Sequence, residues 1–117
     1  MANNPVEEFN VYRSKMNEKL LSDNNKIIKR IFNLDTNAFS EGILPKRTKE
    51  LLGLGNSLVL RCDDCVRYHL EECYKLEISK EEVVEAMSVS LLIGGTIVIP
   101  HLRRAYEYWE ALEEAKD

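Results

Sequence analysis

The sequence predicts an all-α fold of about six helices, in a single domain over residues 1–117. Three observations carry that reading. Apolar residues recur at helical spacing in nearly every segment. Stop and start signals separate those segments at Ser22 to Asn25, Gly42 to Pro45, Ser79, and Gly94-Gly95. Only Thr96 to Ile99 has the β-branched run of a strand, and no second strand exists to pair with it. A chain of 117 residues buries roughly two-thirds of the surface it exposes when unfolded, enough for a true core.

The first helix runs from about Val6 to Leu21, with Phe9, Tyr12, Met16 and Leu20 on one stripe. Ser22-Asp23-Asn24-Asn25 ends it and caps the next. The second spans about Asn25 to Phe39 and turns Ile27, Ile28, Ile31, Phe32, Ala38 and Phe39 to one side. Gly42 is a stop signal, and Pro45 lies just inside a third helix that reaches about Leu60. Leu51, Leu52, Leu54, Leu58 and Val59 are its inward residues. Gly53 and Gly55 sit inside it, each costing up to ~1 kcal/mol against Ala. They read as places where a neighbouring backbone comes close. A phosphate loop is excluded, because no Lys-Ser/Thr follows and no strand precedes. The fourth helix covers about Asp63 to Leu76. A capping box, Ser79 with Glu82, opens the fifth, which runs to about Leu92 with Val83, Ala86, Met87, Ser90 and Leu91 inward. Gly94-Gly95 breaks the chain before a last helix from about Ile97 to Ala115, with Pro100 in its first turns.

Composition removes several function classes. Sixteen basic against twenty acidic side chains give a net charge of -4, which argues against a nucleic-acid grip. No run of ~18 apolar residues occurs, so no membrane span is expected. Residues 1–8 carry no basic cluster leading into an apolar run, so no secretory signal is read there. The three cysteines lie within twelve residues of one another. A tight odd cluster points to a reducing, cytoplasmic setting and to chemistry at the thiols, not to a disulfide framework.

The chemistry sits in Cys62-Asp63-Asp64-Cys65-Val66-Arg67-Tyr68-His69, a Cys-x-x-Cys-x-x-x-His pattern. On a helix, offsets of three and seven residues turn by about 300° and 700° at ~100° per residue, so the three side chains share one face. A Cys-x-x-Cys pair at a helix start has the geometry of a redox dithiol, with Cβ atoms in disulfide reach. The unpaired N–H groups of the first turn favour a thiolate. An imidazole one to two turns on takes or relays the thiol proton near neutral pH.

Zinc is the rival use of these side chains. Cys62 and Cys73 are eleven residues apart, about 16 Å along a helix at ~1.5 Å per residue. Ligands of one zinc ion lie within ~4.6 Å of each other, so a four-ligand site is excluded on a continuous helix. A three-ligand site from Cys62, Cys65 and His69 is strained. Covalent haem attachment needs His directly after the second Cys, where Val66 stands. The sequence therefore predicts neither metal nor cofactor. Cys73 shares an apolar stripe with Val66 and Leu70 and reads as a core residue. His101, after Pro100, reads as a surface or packing residue. Glu50 stands twelve residues before Cys62, and a bend between helices lets it face His69. A carboxylate there fixes the tautomer of the imidazole and raises its basicity. Spacing alone favours the plainer reading of Glu50 as a solvated charge.

From Gly42 to Leu112 the chain resembles the alkyl hydroperoxidase D-like branch of the carboxymuconolactone decarboxylase family. The resemblance rests on Lys49-Glu50-Leu51, on the spacing Glu50-x11-Cys62-x-x-Cys65-x-x-x-His69, on Ile78-Ser79-Lys80-Glu81-Glu82-Val83, and on Gly94-Gly95. The first forty residues match no motif of it. It implies an all-helical homo-oligomer, trimeric or hexameric, with thiol-dependent peroxidase or disulfide-reductase activity. It implies Cys65 as the thiol that attacks peroxide or disulfide and Cys62 as the resolving thiol, sharing protons with Glu50 and His69. It also implies reduction by a dithiol donor such as a lipoylated protein, and a peroxiredoxin as partner. Some members carry a His between the cysteines, whereas this chain has Asp63-Asp64. Two carboxylates beside a thiolate raise its pKa, although they suit a helix N-terminus.

Two other readings compete. A carboxymuconolactone-type decarboxylase needs positive groups to hold a carboxylate and leaves the cysteines without a role. A non-catalytic helical oligomer would use the apolar second helix, with Tyr106, Trp109 and Leu112 of the last, to pack against subunits or a ligand.

Overall fold

The computed structural model describes residues 4–115. Their regular elements are six α-helices and one 3-10 turn. In chain order these are α1 (Pro5–Ser22), α2 (Lys26–Ala38), α3 (Lys46–Val59), α4 (Asp63–Lys75), α5 (Lys80–Gly94), the turn Thr96–Val98, and α6 (Ile99–Glu114). The all-α expectation holds, and the helix ends follow from local chemistry. Asn4 and Asn25 accept backbone N–H bonds from the first turns of α1 and α2. Pro45 caps α3 from one residue outside it, with φ −64°, not from just inside. Ser79 and Glu82 form the reciprocal capping box of α5. Gly95, at φ +86°, ends α5 in a conformation that an L side chain rarely adopts. The β-branched run after it becomes the 3-10 turn and the entry to α6, not a strand.

The core lies between α3, α4, α5 and α6. Helix α3 packs against both α4 and α5, α4 packs on α6, and α1 lies across α6. Leu54 and Leu58 of α3, Leu70 and Cys73 of α4, and Val83 of α5 have no solvent contact. Tyr108, Trp109 and Leu112 close the core from α6. No described helix is long and apolar enough to cross a membrane.

Several residues expected on buried stripes are exposed. Tyr12 and Leu20 of α1 and Leu52 of α3 face outward. Helix α2 is amphipathic yet buries no residue, with Ile27 and Ile31 64% and 58% exposed. A periodic pattern reveals an apolar face but not what covers it. The two glycines of α3 also differ from expectation, since the nearest atoms to each belong to a neighbouring side chain. A Cβ on Gly53 would lie 2.6–2.9 Å from three ring atoms of His69. A Cβ on Gly55 would lie 3.1 Å from the Ser90 hydroxyl, which donates to the Gly55 carbonyl at 2.9 Å.

Candidate functional site

The link between α3 and α4 is tight and sets the first thiol in place. Arg61 adopts a left-handed backbone, φ +61°, and its N–H donates to the Leu58 carbonyl at 3.0 Å. The Cys62 N–H donates to the Ser57 carbonyl at 3.1 Å. Cys62 is therefore the N-cap of α4, with extended backbone, and lies just off the helix instead of on a shared helical face. Its Sγ accepts the Cys65 N–H at 3.3 Å, the bond that a serine or aspartate oxygen makes at other caps. Both thiols are free; Cys62 is half-buried and Cys65 exposed. His69 follows Cys65 by one turn of α4, on the same side of the helix.

Glu50 corrects the expectation of a solvated charge. It has no solvent contact, and its Oε1 lies 2.8 Å from His69 Nδ1. Its Oε2 accepts from Lys46 Nζ at 2.9 Å. Burial alone would raise the Glu50 pKa, but the bonds from His69 and Lys46 outweigh it and hold the carboxyl below its ordinary range. The bond to Glu50 is also the main reason that Lys46 is raised. An ionised Glu50 can only accept, so Nδ1 of His69 carries the proton facing it. A neutral His69 then has Nε2 as its free acceptor. Gly53 lies against the ring, and the rings of Phe39 and Tyr68 stand 4.9 Å and 5.2 Å from it.

The thiols are unlike one another. Partial burial, the interaction of its thiol with that of Cys62, and the nearness of Asp64 push the Cys65 thiol up to about 11. At neutral pH that thiol keeps its proton until a base removes it. Cys73, in the core as read, is pushed up to about 12 mainly by burial. The two acids between the thiols also divide. Asp64 is exposed and pairs with Arg67 at 2.9 Å. Asp63 turns away to α6 and binds His101 and Arg104. His101 is thus a packing residue with a specific partner. Among the described residues no three His, Cys, Asp or Glu side chains converge as a metal ion would require, and Nδ1 of His69 is bonded to Glu50.

Lys46, Gly53 and the Asp63–His101–Arg104 group were not legible as site residues. Lys46 and Gly53 stand four residues before and three after Glu50, the spacing of one helical face. That signal exists only once Glu50 is known to point inward. No sequence signal links Asp63 to residues thirty-eight and forty-one positions away.

A family model for the carboxymuconolactone decarboxylase family matches residues 26–111. The chain belongs to the carboxymuconolactone decarboxylase family. The match begins at α2, ahead of the first residue that carries a recognisable motif. A family protein of Thermotoga maritima, described with a suggested part in an antioxidative response, is 50% identical to it. Its crystal structure superposes with a TM-score of 0.88 over 92% of this chain and 91% of that one. A second crystal structure from Thermotoga maritima gives 49% identity and a TM-score of 0.91, covering 94% and 96% of the two chains. The apo form of a Legionella pneumophila family member is 25% identical, with a TM-score of 0.79 over 96% of this chain and 97% of that one. An uncharacterized protein of Cupriavidus necator is 28% identical over 75 residues, 64% of this chain and 66% of that protein. The chain thus aligns with about two-thirds of the length of that relative.

Two outcomes test the buried pair. Because the folded Glu50 pKa lies below its ordinary value of 4.5, its stabilisation is present above that pH and lost as pH falls through the folded value. The urea midpoint of wild type should therefore fall more steeply with acid below about pH 5 than that of Glu50→Gln. Gly53→Ala should destabilise by about 1–3 kcal/mol through crowding of the ring, despite a helix-propensity gain of up to ~1 kcal/mol. In a His69→Ala background the same change should stabilise, as read by a double-mutant cycle in urea.

Proposed function

We propose that the protein is a thiol-dependent peroxidase or disulfide reductase whose working couple is Cys62 and Cys65. The observation that carries the reading is two free thiols at the start of α4, Cys62 as its N-cap and Cys65 in its first turn, the latter one turn ahead of an imidazole buttressed by a buried carboxylate. The antioxidative role suggested for the Thermotoga relative points the same way.

Cys65 is the more exposed thiol and meets the peroxide first. His69 Nε2 takes its proton, while Glu50 holds the opposite nitrogen protonated. The thiolate attacks the O–O bond of ROOH, giving Cys65–SOH and ROH, with the proton passed to the leaving alkoxide. Cys62 attacks the sulfenic sulfur, the S–S bond forms, and water leaves. A dithiol donor then returns two electrons by thiol–disulfide exchange through a mixed disulfide. The lipoyl group of a carrier protein is a dithiol of the required class, and a peroxiredoxin disulfide is an alternative acceptor of these electrons. A tight cluster of three cysteines accords with a reducing compartment such as the cytoplasm.

A lactone decarboxylase would need a free cation to hold its substrate. Lys46, Arg67 and Arg104 are each paired with an acid, and such chemistry leaves the two thiols without a role. The unpartnered apolar face of α2 supports assembly with further copies of the chain.

Cys62→Ser and Cys65→Ser should each abolish dithiol-dependent peroxide turnover, and His69→Gln should slow alkylation of Cys65 at pH 7. Robust turnover by the double serine variant would overturn the reading. Mild peroxide should remove two of the three free thiols per chain in a thiol titration. Light scattering on a sizing column should give a mass several times 13.5 kDa, as for a trimer or hexamer, and Ile27→Asp with Ile31→Asp should lower it.

A further inference from the structure

The residue directly after Cys62 is an acid, and an uncompensated carboxylate beside a dithiol opposes the thiolate that attacks. Asp63 is compensated on both oxygens. Its Oδ1 accepts from His101 Nδ1 at 2.8 Å and its Oδ2 from Arg104 Nε at 2.9 Å. Both donors come from α6, so the bonds also tie the first turn of α4 to a second helix. Burial alone would raise the Asp63 pKa, but the two bonds outweigh it and keep the group an anion. Its neighbour differs. The Asp64 side chain is 73% exposed and pairs within its own helix, with Arg67 at 2.9 Å. Of the two acids, Asp64 is the one that weighs on Cys65.

We propose that Arg104 and His101 are positioning residues, the first offsetting the charge of Asp63 and the second holding its other oxygen, so that an acid opens α4 beside Cys62 without suppressing attack by the thiol pair. The inference rests on the thiol chemistry proposed above and adds to it a part for two residues outside the Glu50–His69 pair. The acid at Asp63 suits the N-terminus of the helix, where the exposed N–H groups favour negative charge. The Arg104 guanidinium, with the ring N–H of His101 on the other oxygen, offsets its penalty for the sulfur next door.

The test is alkylation of Cys62 and Cys65 by iodoacetamide at pH 7, followed for each cysteine by mass spectrometry on the full chain. The thiolate displaces iodide, so a carbon–sulfur bond forms as the carbon–iodine bond breaks and the thiol proton passes to solvent. H101Q/R104Q should slow the reaction by roughly three- to tenfold, the effect of one nearby like charge. D63N in that background should restore the wild-type rate, and R104K alone should stay near it. Loosening of the helix end by itself would not be repaired by D63N, which leaves the tie to α6 broken. An unchanged rate in H101Q/R104Q, or a slow rate that persists in the triple variant, overturns the proposal. Thiol counts on wild type after mild peroxide read the Cys62–Cys65 couple separately. Retention of all thiols there would overturn the redox reading, while the alkylation series still decides the charge effect.

Discussion

Glu50 is an anion with no solvent contact, and the site is organised around making that tolerable. The effective penalty for burying a charge is several kcal/mol, and only close partners offset it. Helix α3 supplies one, Lys46, a turn before. Helix α4 supplies the other, His69, whose ring can approach because position 53 has no side chain. Three residues of one helix thus fix the tautomer and orientation of an imidazole on the next. The packing of α3 on α4 is at once core formation and assembly of the candidate site.

The thiol pair shows how a helix start divides two identical side chains. Cys62 takes the N-cap position and receives a backbone N–H, while Cys65 lies inside the first turn and is more open to solvent. The helix rule alone favours the capping sulfur as nucleophile. Exposure favours the other, whose proton is firmly held. The base of the proposed chemistry would reconcile these features, because Cys65 would then need to ionise only when its proton has somewhere to go. Its position one turn before His69 fits that division of labour.

Helix α2 stands apart from the core yet is tied to the site. It buries no residue of its own, but Phe39, just beyond its end, sets its ring 4.9 Å from His69. The carbonyl of Ser40 accepts from Lys49 at 2.7 Å, and Glu41 accepts the Lys46 N–H at 3.1 Å. The apolar face of α2 is therefore linked, through one short segment, to the residues that hold the imidazole.

The helical class, the six elements, the capping box at Ser79, and the Cys62-x-x-Cys65-x-x-x-His69 pattern were all legible in the sequence, because each rests on neighbours within two turns. Spacing also placed Glu50 within reach of His69, yet could not tell a buried carboxylate from a solvated one. That choice depends on which face α3 turns to α4, and on Gly53 being empty where the ring must lie. The same holds for Asp63, which the sequence presents as a liability beside a thiol and the fold pairs with His101 and Arg104 of α6. Local periodicity determined what could form. The inter-helix contacts decided which charges are compensated, because compensation needs donors brought together from distant parts of the chain.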